Sequence, residues 1–185
     1  MKERLTGRPP SDFMNATKAI WTKLDVREFA SKPVPSEVKL AVLEAARLTQ
    51  SGTNSQHWRF ILVQDPKNLR TMANDSLSGK WVARANFAVI VCTDPTKGYH
   101  MIDAGRVVQD MQLTAWDCGV ASGVFTGIKQ AEFKRDFGVP ENLSATIVVG
   151  FGFPQRKLRG RKNRKPLSEL AFLERYGNKL DVLRK

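Results

Sequence analysis

Apolar and polar positions along the chain switch between helical and strand periods. Ala16, Ile20 and Trp21, with Phe13 ahead of them, fall near helical spacing, and Asp12 is a candidate cap. They predict a helix ending near Thr22. The mixed stretch Lys23 to Lys32 reads as extended or loop, punctuated by Pro33 and Pro35. From Ser36, a candidate N-cap, Val38, Ala41, Val42, Ala45 and Leu48 form one apolar stripe, and Glu37 suits the positive end of that helix dipole. The small polar run Thr49 to Gln56 is a loop by composition. Trp58 to Val63 reads as a strand, and Pro66 opens a short helix to about Leu77. Phe87 to Cys92 is apolar enough to be a strand buried on both faces. A long helix follows over 99–118, then a strand-like piece Val120 to Phe125 and a turn at Thr126 and Gly127. Residues 130–137 form a small helix, Ala145 to Phe151 a further strand, and Leu167 to Tyr176 a last helix. No internal repeat is present.

Strands mixed with helices on one short chain predict an α+β fold, a three-layer α/β/α sandwich. Connections are both long and short, so the central sheet is expected to be of mixed direction. The whole chain, 1–185, reads as a single domain, with 1–11 an N-terminal arm and 154–185 a basic C-terminal extension.

Composition narrows the classes. A hydrophobic fraction of 42% supports a real core. The mean hydropathy of -0.34 and the lack of a long apolar run argue against a membrane span. No apolar stretch follows the first basic residues, so no secretory signal is read there. With 2 Cys a disulfide framework is not expected, and Cys92 and Cys118 read as buried thiols rather than nucleophiles. A cytoplasmic location is the default expectation. The sequence contains no Gly-x-Gly-x-x-Gly after a strand, no Walker A motif and no zinc spacing around His57 and His100; no nucleophile elbow supports a Ser/His/Asp triad. No metal site is expected.

Charge adds one question. Thirty Lys+Arg against 18 Asp+Glu give +12, and Arg156, Lys157, Arg159, Arg161, Lys162, Arg164 and Lys165 crowd one segment. Composition leaves two readings open, a solvated arm or a phosphate-binding one. A nucleic-acid module is a third. It has no recognition-helix or RNA-binding signature, and the run lacks aromatics apart from the flanking Phe153.

Three segments resemble the nitroreductase family. The first is Lys23-Leu24-Asp25-Val26-Arg27-Glu28-Phe29, leading to Pro33-Val34-Pro35 and the helix ending Leu43-Glu44-Ala45-Ala46-Arg47. The second is the loop Ser51-Gly52-Thr53-Asn54-Ser55-Gln56-His57-Trp58-Arg59-Phe60, similar to a family Ser-x-x-Asn-x-Gln-Pro-Trp loop that enters a strand. The third is Lys162-Asn163-Arg164-Lys165-Pro166-Leu167. Between them, Asp103-Ala104-Gly105 through Gly119 resembles the family's long central helix. The ordered set over roughly residues 12–170, rather than any one motif, carries the resemblance.

The resemblance implies an intertwined homodimer that binds FMN and passes electrons from NAD(P)H to a small acceptor, typically a nitroaromatic or quinone. Catalysis would need no obligatory protein acid or base, since the flavin performs the chemistry. Lys23, Lys162 and Arg164 match phosphate-binding positions, and a dianionic phosphate suits such cations. Leu24 and Asp25 stand where many members carry Arg and Ser; near a phosphate Asp25 would be repelled unless Lys23 or Arg27 offsets it, and its alternative is to accept hydrogen bonds from ribityl hydroxyls. Ser51, Gly52, Asn54 and Gln56 would serve the partner subunit's flavin. Arg27 would lie near the N1–C2 edge of the ring; an ion pair with Asp25 or Glu28 is its alternative. Thr126 and Gly127 align with the turn at the flavin N5, and Gln109 is a further candidate contact, with a solvated position or pairing across the dimer as its alternatives. Thr49, Gln50 and His57 depart from the family's common Ala-Pro and Pro. Other flavin-using relatives remain as alternatives, with dehalogenation or flavin cleavage as their chemistry; vitamin B12 lower-ligand synthases share Asp25-Val26-Arg27.

Overall fold

The computed structural model describes residues 16–160 and 162–180. Asp12, Phe13, the arm 1–11 and Arg161 lie outside them. The chain runs α1 (Ala16–Thr22), α2 (Ser36–Leu48), β1 (Arg59–Val63), α3 (Pro66–Asn74), β2 (Phe87–Thr93), α4 (His100–Asp117), β3 (Ala121–Phe125), α5 (Gln130–Phe137), β4 (Ser144–Gly152) and α6 (Leu167–Leu170). Short 3-10 turns occupy Gly52–Asn54 and Lys80–Arg84.

The fold is α+β in three layers. The sheet has the order β1-β2-β4-β3. Its three strand pairs are antiparallel, and the parallel component is a single bridge, Asp25 to Ser122, on the outer edge of β3. The central strand β2 is buried at all seven positions, as its unbroken apolar run predicts. Its side chains divide by strand alternation. Phe87, Val89 and Val91 join Val42, Ala46, Val107, Met111 and Phe151 beneath α2 and α4. Ala88, Ile90 and Cys92 join Leu69, Met72, Val82, Phe133 and Val148 on the other face. The sheet is thus sandwiched between α2 with α4 and a second layer of α3, α5 and the 3-10 turn.

Local chemistry sets several element ends. Asp65 accepts from the backbone N–H groups of Lys67 and Asn68 at 2.8 and 3.1 Å, with Pro66 at the first helical position, which starts α3. Gly138 adopts φ 64° and ends α5. Two expectations shift. Ser36 is the first residue of α2 rather than its cap; Pro35 holds the cap position and makes no side-chain bond. The last helix stops at Leu170 instead of Tyr176. Leu167 and Leu170 are 65% and 59% exposed, so this helix buries too little apolar surface to hold a short, poorly nucleated segment.

The feature that positions the candidate site is a strip of glycine on β3 and β4. Gly123 pairs with Gly150 across the two strands, and Gly152 lies two residues on. A Cβ at Gly150 would sit 2.7 Å from the Trp81 ring, and one at Gly152 would sit 2.8 Å from Phe29. A Cβ at Gly123 would meet the Val26 carbonyl oxygen at 2.6 Å and Trp81 at 3.0 Å. The bare backbone lets Trp81, Phe29 and the segment 25–29 lie directly on the sheet. That segment is then zipped in place. Val26 donates to the Ser122 carbonyl at 2.9 Å, Ala30 to that of Phe153 at 2.8 Å, and Gln155 to that of Glu28 at 3.1 Å.

Gly123→Ala is therefore expected to destabilise the protein by about 2 kcal/mol, because rigid backbone rather than a flexible side chain must give way. A lowered urea midpoint with unchanged slope would show it.

Candidate functional site

The extended segment after α1 carries Lys23, Leu24, Asp25 and Arg27 along the outer edge of β3. Lys23 and Asp25 form an ion pair at 2.5 Å, so the carboxylate that departs from the family pattern is offset by its neighbour. Leu24 is half-buried against Gly160. The Arg27 guanidinium lies 5.8 Å from the centre of the Trp81 ring, a cation–π position. Among the described residues it makes no ion pair: Asp25 is held by Lys23, and Glu28 faces Arg156 at 3.9 Å. The alternative of an Arg27 surface ion pair is not formed.

The basic C-terminal segment folds back onto the same edge. Lys162 donates from Nζ to the Ile20 carbonyl at the end of α1, beside Lys23. Asp25 to Glu28 and Pro154 to Arg159 line a shared cavity of about 480 Å³. Arg164 is exposed and turns onto the Asn163 carbonyl at 2.9 Å. Lys23, Leu24, Asp25 and Arg27 thus follow one another along this edge, Lys162 reaches the end of the helix just before them, and Arg156 joins through Glu28.

The loop Ser51 to Gln56 lies elsewhere. Gly52 N–H donates to the Asp103 carboxylate at 2.9 Å, near the start of α4. Asp25 is instead approached at 3.5 Å by Gln112, whose Nε2 also donates to Ser122 Oγ at 3.0 Å. Asp103 and Gln112 stand on one helix, nine residues apart, which is about 13 Å along its axis. Within one chain, therefore, Ser51, Gly52, Asn54 and Gln56 are not beside Lys23 to Arg27. Gln109 is exposed and lines a different groove of about 600 Å³ with Leu48, Thr49, Gln50, Ile102 and Asp110. It is Gln112, one turn further, that reaches the candidate site. Sequence reasoning missed it because the facing side of a helix is set by docking.

Thr126 and Gly127 close the end of β3. Gly127 accepts from Leu77 N–H at 2.7 Å, and a Cβ there would lie 2.7 Å from Ser78 Oγ. The bridge between Ser76 and Ile128, and Lys129 N–H donating to the Asp75 carbonyl at 3.0 Å, fix this turn. Burial and the neighbouring Asp136 carboxyl hold Asp75 above the usual carboxylate range, while Arg135 holds Asp136 below it.

Neither thiol is poised for nucleophilic work. Burial pushes Cys92 up to about 11, and burial with the Asp117 charge raises Cys118. Among the described residues no helix is long and apolar enough to cross a membrane, and no cluster of three or more His, Cys, Asp or Glu could hold a metal.

The molecule is thus a three-layer α+β protein with a cation-lined ledge beside one sheet edge. The nitroreductase family model matches residues 23–98 and 77–151. The chain belongs to the nitroreductase family, a family of oxidoreductase enzymes. It is 29% identical over 147 residues to an Archaeoglobus fulgidus protein provisionally named an NADH dehydrogenase/NAD(P)H nitroreductase, covering 75% of this chain and 84% of that one. A Thermotoga neapolitana iodotyrosine deiodinase is 22% identical over 154 residues, covering 70% and 83%. Among solved structures, the FMN-dependent nitroreductase of Clostridium difficile R20291 superimposes with a TM-score of 0.78 at 18% identity, covering 84% of this chain and 96% of that chain.

The raised Asp75 carboxyl gives a signed prediction. A carboxyl whose folded value is raised stabilises the fold only while protonated, and that contribution is lost as pH rises through the folded value. Asp75→Asn should therefore stabilise the protein at neutral pH, because the amide has no charge to bury beside Asp136. The gain should shrink below pH about 4, where folded and unfolded forms are both protonated. Urea midpoints of the two proteins at both pH values measure it.

Proposed function

We propose that this protein binds FMN and transfers electrons from NAD(P)H to a small acceptor such as a nitroaromatic or quinone. One observation carries the reading. Asp25 and Arg27 line one cavity, Lys23 is paired to Asp25, and Lys162 lies on the end of the helix that leads into this segment, in a chain of the nitroreductase family.

The donor set fits the cofactor. FMN has a dianionic phosphate, a hydroxylated chain and a flat ring. Lys23 and Lys162 would hold the phosphate. Asp25, already neutralised by Lys23, would accept from ribityl hydroxyls, with Gln112 beside it. Arg164 could swing to the phosphate from its exposed position. Arg27 would lie against the ring edge where reduction adds negative charge, and its fixed guanidinium would favour the more negative state. Thr126 and Gly127 would offer backbone N–H groups to the ring from a turn anchored on Ser76 to Ser78. Leu24 would contribute packing. Bound FMN supplies hydride acceptance from the nicotinamide and electron delivery to the acceptor; the chain supplies binding, orientation and charge.

The loop residues Ser51, Gly52, Asn54 and Gln56 lie about 13 Å along α4 from this ledge. They would serve the site of a second copy. An apolar surface supports that arrangement: Leu40, Leu48, Met101 and Ile102 on α2 and α4 are 66%, 64%, 52% and 66% exposed, and Gln109 borders them. A two-fold dimer would cover it and complete two sites.

Reductive dehalogenation on the same flavin is the second reading, favoured by the likeness to the deiodinase. Comparing turnover of a nitroaromatic and of a halogenated phenol at equal FMN loading separates the two.

The purified protein should be yellow and release about one FMN per chain on heating; a colourless protein that takes up no FMN at micromolar concentration would refute the reading. Arg27→Ala should lower the FMN reduction potential by roughly 40 mV, equivalent to ~2 kcal/mol for a two-electron couple. Lys162→Ala should weaken FMN binding and leave the potential unmoved, because the phosphate charge is the same in both redox states. A redox titration of both variants at saturating FMN distinguishes these roles.

Light scattering should give twice the 20.8 kDa chain mass. A monomer with FMN still bound would exclude the shared site.

A further inference from the structure

The loop Ser51 to Gln56 is held in an unusual shape. Thr53, Asn54 and Gln56 all adopt positive φ, at 51°, 54° and 46°, in a region that side chains with a Cβ rarely enter. Bonds within the loop help: Asn54 N–H donates to the Ser51 carbonyl and Gln56 N–H to Ser51 Oγ, each at 3.0 Å. Such a shape persists only when contacts from outside over-determine it.

Arg59 donates to the Gln56 carbonyl at 3.3 Å, and two further tethers come from the start of α4. Thr53 Oγ1 and Tyr99 Oη lie 3.1 Å apart on the exposed side. The buried tether is Asp103. Its side chain is 2% exposed, and Oδ2 accepts both Gly52 N–H at 2.9 Å and His57 Nε2 at 3.2 Å. Arg106 approaches the other oxygen at 3.7 Å from solvent. His57 is itself 4% exposed and has its ring set from the other side. Asp94 N–H, which can only donate, faces Nδ1 at 3.4 Å. The proton of a neutral imidazole is thereby directed to Nε2 and toward Asp103.

We infer that His57 and Asp103 act together as positioning residues for this loop, and through it for FMN in the neighbouring copy's site. The inference rests on the FMN reading above. A buried carboxylate without hydrogen-bond partners would not stay aimed. His57 supplies the donor that keeps the Asp103 oxygen fixed, and that oxygen pins Gly52, the first residue of the strained turn. Gly52 must be the pinned position, because a Cβ there would lie 2.6 Å from the Tyr99 ring and lift the loop off α4. The family loop that this segment resembles commonly carries Pro where His57 stands. Here the tether is a side-chain hydrogen bond instead.

The test separates hydrogen bonding from packing. His57→Phe keeps a ring against Trp58 and Tyr99, both at 5.8 Å between centres, but removes the N–H. Asp103→Leu keeps the branched side-chain shape and removes the acceptor. Each should weaken FMN binding by roughly tenfold, the usual scale for a hydrogen bond to a charged group. The double variant should be little worse than either single one, because both break one coupled unit. Amide hydrogen exchange of the FMN-free full chain provides a readout that needs no cofactor. Exchange across residues 51–57 should accelerate in all three variants.

Additive losses, or an unchanged FMN affinity and exchange rate in His57→Phe, would overturn the inference. Faster loop exchange with FMN affinity unaltered would overturn it as well, since the loop would then be ordered for some other purpose. A wild-type chain that binds no FMN is a different failure, and it removes the cofactor assignment itself.

Discussion

The arrangement depends first on backbone with nothing attached to it. Gly123, Gly150 and Gly152 leave a bare strip on two strands, and side chains there would occupy space already held by Trp81, Phe29 and the Val26 carbonyl. Because the strip is bare, the segment 25–29 lies against the sheet edge and pairs with Ser122 and with residues 153–155. That pairing brings the basic C-terminal segment alongside Lys23 to Arg27. Charges far apart in sequence become neighbours through main-chain hydrogen bonds, and the cations do not have to overcome their own repulsion unaided. The Lys23–Asp25 pair offsets part of it.

Helix α4 is the second organising element. One face is buried in the core through Ala104, Val107, Val108, Met111 and Ala115. Its polar residues divide by position along the axis. Asp103 serves the loop after α2, and Gln112 serves the edge of β3. A rigid rod therefore sets a fixed separation between the loop and the cation-lined ledge. No local side-chain movement can close that gap.

The excess of positive charge takes on a different meaning in this setting. The run 156–165 includes residues that fold against 20–28, with Lys162 on the Ile20 carbonyl and Arg156 facing Glu28. Part of the run is therefore built into an edge of the fold. A compact doubly charged ligand suits such a ledge better than an extended polyanion, which would need an open basic track.

Much of the fold was legible in the sequence, because it is written in local periods. The unbroken run Phe87 to Cys92 falls in a central strand, the helix predicted from Ser36 to Leu48 forms but turns Val42 and Ala46 inward and leaves Leu48 64% exposed, and residues 130–137 form the small helix their pattern predicts. The resemblance named Lys23, Arg27 and the 51–56 loop by residue type and order alone. What the sequence could not express is which distant positions meet. Nothing local distinguishes Gln112 from Gln109; the docking of α4 buries one and exposes the other. Nothing near His57 announces Asp103, 46 residues away, or shows that the pair is buried. The last helix fails for the same kind of reason. Its spacing is helical, but no neighbouring surface buries its leucines. Periodicity is a property of a segment and can be read from it. Burial, partner choice and the separation of the ledge from the loop belong to the packed whole, because they depend on surfaces brought together only when the sheet and its two helical layers close.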